Sequence, residues 1–351
     1  MRIFHCDACG ELVYFENTIC LNCGTALAYL PEVGEVKALN PANEQMWQST
    51  AGANYRLCQN YSVYDVCNWA VPVDDSNPYC ISCRLTRLIP DLSVDGNKTA
   101  WAKFEAAKRR LNYSLLGFGL PVRSKMEEPQ TGVIYEFLAD TPDRPVLTGH
   151  EFGLITINIA EGDDAEREKR RMQLHEPYRT ILGHFRHEIG HYYWDRFFVS
   201  EESLSAFRNV FDDESQDYAE ALKRHYERGA PAGWQANFIS SYATAHPWED
   251  WAETWAHYLH MTDALETAAA VGVSLRPQRD NEPSLKLTDH ALTSFETMIQ
   301  SWLSLTYMLN NLNRGLGLPD SYPFVLSDPV IQKLRFVHDM IERASAQRST
   351  D

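Results

Sequence analysis

No cysteine follows residue 83 of this 351-residue chain, although eight lie at or before it. A disulfide framework across the last three quarters is excluded, and composition alone marks a domain boundary. Positive charge is also scarce: 32 Lys and Arg stand against 48 Asp and Glu, a formal charge of −16. Such a surface is a poor partner for nucleic acid or anionic lipid. No stretch approaches the roughly 18 uninterrupted apolar residues of a membrane helix; the longest, around Ala268–Leu275, is short and rich in Ala and Gly. No membrane span is expected. The opening MRIFHCDACGEL lacks the basic start and apolar stretch of a secretory leader, so the expected location is cytoplasmic, with thiols kept reduced. What the chain does have is 44% hydrophobic and 12% aromatic residues, ample for a packed core and too apolar for a disordered protein.

The cysteines form two sets. Cys6-x-x-Cys9 and Cys20-x-x-Cys23 are matched pairs, each followed by a glycine, Gly10 or Gly24, able to adopt the positive φ of a metal-binding knuckle. That spacing predicts four thiolates on one structural zinc. A redox Cys-x-x-Cys would instead require a helix N-terminus. Cys58, Cys67, Cys80 and Cys83 contain only one such pair, but a second four-thiolate zinc accounts for every remaining thiol. Neither set leaves a coordination position open for chemistry. Residues 1–90 carry five basic and nine acidic residues, which argues against a nucleic-acid reader and for a stapled small domain or a surface that holds a protein partner. Residues 1–95 are therefore expected to form a zinc-ribbon region, and residues 96–351 a second domain.

Helical spacing of Trp101, Phe104, Ala107 and Leu111 predicts a helix over 98–111. Strands are expected over 133–138 and 154–159, where β-branched and aromatic residues are bounded by turn residues. Further helices are expected near 164–174, 178–195, 203–209, 214–228, 248–266, 288–311 and 328–346, with a Pro-rich, charged break at 276–286. Leu292, Phe295, Ile299, Leu303 and Thr306 fall on one stripe that reads as core. The run Glu166–Arg171 mixes signs and reads as a solvated helix face.

The chemistry is carried by His187-Glu188-Ile-Gly-His191. On a helix the two imidazoles lie one turn apart on one face and can share a metal, while Glu188 is turned about 100° aside toward a bound water. Two His need a third protein ligand. The segment His246-Pro-Trp-Glu249-Asp-Trp-Ala-Glu253 offers two carboxylates at i, i+4 on a second helix begun by Pro247. One can ligate zinc, and the other can accept the N–H of a ligating His. Glu249 is assigned as ligand and Glu253 as support, with the reverse left open. Tyr242 could donate to a developing oxyanion or be a packed aromatic. His184, one turn before His187, is either a supporting group or a packed histidine; Asp195, four residues after His191, either orients that ring or is an exposed carboxylate.

The HEIGH helix followed some sixty residues later by Glu-x-x-Ala-Glu resembles the Glu-zincin metallopeptidases, and Tyr242-x6-Glu249-Asp-Trp-Ala-Glu253 resembles the lethal-factor type among them. That resemblance implies Glu249 as third ligand and Tyr242 as an aid to catalysis. The whole chain is similar to a bacterial family of zinc-binding metallopeptidases with an N-terminal zinc-ribbon domain. The matching stretches are Cys6–Cys23, Cys80–Thr86, Thr148–Asn158, Tyr178–Trp194, Pro247–His257 and Asn313–Asp320. The implied fold is α+β, a mostly helical zincin-like domain behind a small zinc-ribbon region. The implied activity is hydrolysis of peptide bonds in a peptide or protein substrate, with one catalytic and two structural zinc ions and Glu188 as general base. Two other classes stay open: a zinc-ribbon interaction scaffold whose zincin domain no longer hydrolyses, and a DNA-associated protease, which the charge disfavours. Strand 154–159 stands where zincins keep an edge strand for an extended peptide, although its apolar composition suits an internal strand.

Overall fold

The computed structural model describes residues 1–141, 146–167, 180–287 and 294–348. The helix expected at 164–174, the mixed-sign run 166–171, the starts of the helices expected at 178–195 and 288–311, and Leu292 fall wholly or partly outside the described residues. The chain is mixed α+β. It forms two compact units, one built on residues 3–167 and 180–188, the other on residues 1–2 and 189–348. Among the described residues no helix is long and apolar enough to cross a membrane.

The first unit begins with β1 (Phe4–His5) and β2 (Leu12–Val13), an antiparallel pair. An antiparallel five-stranded meander follows, of β3 (Ala26–Leu30), β4 (Glu35–Pro41), β5 (Trp47–Ser49), β6 (Asn54–Leu57) and β7 (Ala70–Pro72). Ala28, Leu30, Leu39, Tyr55 and Ala70 form its core. The meander is an addition to the zinc-ribbon reading. Next to it Phe15, Tyr29, Trp69 and Tyr113 pack ring against ring, with Tyr29 and Trp69 centroids 4.7 Å apart.

β8 (Thr86–Leu88) and β9 (Ile134–Leu138) are parallel, and the crossover between them contains helix α1 (Asn97–Gly117). β10 (Gly149–Glu151) and β11 (Leu154–Asn158) complete a four-stranded sheet of order β10-β11-β9-β8. Leu154–Asn158 is thus internal, bonded to β9 on one side and to β10 on the other. Its neighbour occupies the edge that a zincin-like comparison would leave to the substrate, in keeping with its apolar sequence.

Helix α2 (Ile181–Phe197) carries the HEIGH motif. In the first unit Phe185 anchors its start among Tyr135, Phe104 and Phe137, with centroids 5.6, 6.2 and 6.3 Å away. The second unit holds α3 (Glu201–Phe211), α4 (Tyr218–Arg228), α5 (Pro247–Ala270), α6 (Phe295–Gly315) and α7 (Asp328–Arg348). The break at 276–286 is closed by a small hairpin, β12 (Ser274–Leu275) with β13 (Leu285–Lys286). On α6 the buried stripe runs through Phe295, Met298, Ile299, Trp302, Leu305 and Thr306, whereas Leu303 is half exposed. Leu303 lies about 100° around the helix from the buried Trp302, outside that stripe.

Helix α5 packs closely on the end of α2. Trp251 Nε1 donates to the Gly190 carbonyl at 2.8 Å, and Trp255 stacks on Tyr193 at 5.0 Å. A Cβ at Gly190 would lie 3.1 Å from Ala252 Cα and 3.2 Å from the Trp255 ring. Gly190→Ala is therefore expected to force the helices apart and destabilise the protein by about 1–3 kcal/mol, read as a lower denaturant midpoint; an unchanged midpoint would contradict this close approach.

Candidate metal centres

Three donor sets of His, Cys and carboxylate atoms converge among the described residues: Cys6, Cys9, Cys20 and Cys23; Cys58, Cys67, Cys80 and Cys83; and His187, His191 and Glu249. Within each set the donor atoms lie within 4.8 Å of one another.

The first set is built by two knuckles. Gly10 N donates to Cys6 O at 2.7 Å and Gly24 N to Cys20 O at 2.8 Å, with φ of +79° and +71° at the two glycines. The sulfur pairs Cys6–Cys23, Cys9–Cys20 and Cys67–Cys80 are 3.7, 3.6 and 3.8 Å apart. A disulfide would bring sulfurs to about 2.05 Å, whereas thiolates about 2.3 Å from a tetrahedral zinc lie about 3.8 Å from each other. Both sets therefore suit zinc. In the second, fully buried set, backbone N–H groups of Trp69, Cys80 and Cys83 point at the sulfurs of Cys67, Cys58 and Cys80 at 3.3–3.4 Å.

The third set rests on two helices. His187 and His191 are one turn apart on α2, and α5 presents Glu249 in its first turn. The His246 side chain caps α5, with Nδ1 accepting from Trp248 N at 3.1 Å, and Pro247 sits where a missing N–H costs nothing. His191 Nε2 is 3.5 Å from Glu249 Oε2. Two ligands each about 2.1 Å from a tetrahedral zinc lie about 3.4 Å apart, so this pair also fits the ion. Trp248 covers the His191 ring at 3.9 Å, and Tyr218 donates its hydroxyl to Glu249 Oε1 at 2.6 Å.

Around this set, Glu253 accepts from Ser240 Oγ at 2.6 Å, and that same oxygen accepts from Ala243 N at 3.1 Å. Its carboxylate thus holds the short turn Tyr242–Thr244. Burial, then the Glu249 charge, pushes the Tyr242 hydroxyl well above the ordinary phenol range, so it stays protonated. Asp195 is half buried on the last turn of α2. Sequence reading missed Tyr218 and Glu161. Tyr218 carries no spacing signal, because its link to Glu249 spans 31 positions.

In the first unit His184 bridges two buried carboxylates, with Nδ1 3.1 Å from Glu161 Oε2 and Nε2 3.0 Å from Glu188 Oε1. Burial opposes the charged ring, but the bonds to Glu161 and Glu188 and their charges outweigh it and raise its pKa to about 9. A pKa raised on folding from the ordinary value of about 6.5 stabilises the folded state fully below about pH 6.5 and ceases to do so as pH rises through about 9. Glu161→Gln is expected to flatten that alkaline decline in stability, measured as denaturant midpoints between about pH 6 and pH 10; an unaltered slope would remove His184 as its source.

Folding and donor sets together define a mixed α+β protein built to bind metal at several places. Residues 97–340 match the family described as "Putative zinc-binding metallo-peptidase", and residues 3–94 match a zinc-ribbon domain. The chain belongs to that zinc-binding metallopeptidase family. It is 43% identical over 346 residues to uncharacterized proteins of Mycobacterium bovis and Mycobacterium tuberculosis, covering 98% of this chain and 96% of each relative. No solved structure matches.

Proposed function

We propose that the protein is a zinc-dependent peptidase with a zincin-like, Glu-zincin centre, in which His187, His191 and Glu249 hold the catalytic ion and the two cysteine sets hold structural ones. The observation that carries this reading is the convergence of the three donors within 4.8 Å, with Glu188 beside the first of them in the chain. Zinc there supplies a Lewis acid that polarises a carbonyl and makes water acidic enough to attack near neutral pH.

The remaining work belongs to the chain. Glu188 takes the proton released from the attacking water and passes it to the leaving nitrogen. Tyr242, kept protonated, can donate to the oxygen that gains negative charge. Tyr218 fixes one oxygen of Glu249, and Glu253 fixes, through Ser240, the turn that bears Tyr242. The cysteine-rich segment staples its own part of the chain and offers a surface for a protein partner. With an acidic surface and no membrane-crossing helix among the described residues, the working environment proposed is the cytoplasm.

Two measurements test the reading. Metal analysis of the purified chain is expected to give three zinc equivalents, one per donor set, with Cys20→Ser losing one and loosening the N-terminal part; no more than one equivalent after refolding in excess zinc would overturn the two structural sites. A peptide library is expected to be cleaved, and a chelator to stop the cleavage. A zinc-replete protein that cleaves nothing in that library would favour the scaffold reading.

A further inference from the structure

We propose that His184 is a positioning residue for Glu188: gripped by Glu161 on its other ring nitrogen, it fixes the carboxylate that serves as general base. The inference deepens the peptidase reading and rests on it for the role of Glu188, but its geometry stands separately.

The three side chains lie in one compact unit and come from two elements. Glu161 sits on the single 3-10 turn Ile159–Gly162 that leaves β11, a turn capped by the Asn158 side chain accepting from Ala160 N. Glu161 is itself anchored, because Thr148 donates from Oγ1 to its Oε1 at 2.8 Å, and Arg167 donates to its backbone carbonyl at 3.0 Å. Thr148 in turn accepts from Asn158 N. The internal strand therefore ends in a braced carboxylate aimed at α2. His184 spans the gap to Glu188 one turn along that helix.

Both ring nitrogens of His184 meet carboxylate oxygens, and a carboxylate can only accept, so the ring donates twice and is the imidazolium. Glu161 and Glu188 are only 3% and 5% exposed. Burial alone would neutralise a carboxylate and spoil it as a base. The ring nitrogen 3.0 Å from Oε1 gives the buried Glu188 carboxylate a fixed polar partner and so a fixed orientation. The imidazolium keeps its own protons throughout: one proton passes from water to Glu188, then to the nitrogen of the broken peptide bond.

A core ion pair of merely structural value would look similar, and amide substitutions separate the two. A Gln amide nitrogen reaches the place of Nε2, and an Asn amide nitrogen that of Nδ1. The experiment uses the full, zinc-loaded chain as wild type, His184→Gln and His184→Asn. Crystal structures are expected to keep Glu188 in its wild-type rotamer in H184Q and to show it displaced in H184N. On a peptide from the cleaved library, H184N is expected to lose about 10- to 100-fold in kcat, as lost supporting contacts do, with KM and zinc content unchanged, and H184Q to lose less. Equal losses in the two variants, or Glu188 unmoved in H184N, would overturn the proposal. Glu161→Gln keeps it decidable should neither variant fold: kcat is expected to fall severalfold with KM unmoved, and an unchanged kcat counts against it. If no peptide is cleaved at all, the peptidase reading fails, while the rotamer comparison still judges the positioning.

Discussion

Glu188→Gln is expected to lower turnover by about a hundred- to ten-thousand-fold, the usual worth of a general base, while all three zinc equivalents stay in place. The amide keeps nearly the shape of the carboxylate but cannot take a proton, and none of the proposed ligands is altered. His184 will also meet a weaker acceptor there, so its pKa is expected to fall. Parallel metal analysis and steady-state kinetics check the prediction. Retained turnover would remove Glu188 from the role, and loss of one zinc equivalent would mean that it supports the metal rather than the proton transfer.

The second large effect separates the two carboxylates of α5. Glu249→Ala removes the partner of His191 at 3.5 Å and leaves two imidazoles to hold the ion, so zinc in that set is expected to be lost on dialysis, together with all activity. Glu253→Ala removes no donor of the set. It releases Ser240 and the turn beneath Tyr242, and zinc is expected to remain, loosened by about 10- to 100-fold. Competition with a metallochromic chelator measures both. If Glu253→Ala is the variant that loses the ion, the two assignments must be exchanged.

Much of this site could be read along the sequence because its donors obey local periodicity. His187 and His191 are one helical turn apart, Pro247 announces the helix that carries Glu249, and the paired cysteines prescribe their own knuckles. Contacts between distant segments were not legible. Glu161 meets His184 across 23 positions and Tyr218 meets Glu249 across 31, and no spacing rule links such pairs. The helices of the second unit announced themselves by period and caps, with boundaries off by a few residues. The meander β3–β7 did not, since its strands are three to seven residues long and lie among cysteines that dominate the reading. The hairpin Leu30–Glu35, turning through Gly34 at φ +72°, was the local signal that could have revealed it. Strand 154–159 carried both readings, and only the presence of β10 decided between them.

The knuckle that closes the second cysteine set, Cys80–Cys83, runs straight into β8, the edge of the four-stranded sheet. The donors of that set end at Cys83, well before β9 begins at Ile134. A metal held by that set would anchor the start of β8 independently of β9, which pairs with it in parallel after the crossover through α1. The edge of the four-stranded sheet would then owe its position to that metal as much as to the neighbouring strand.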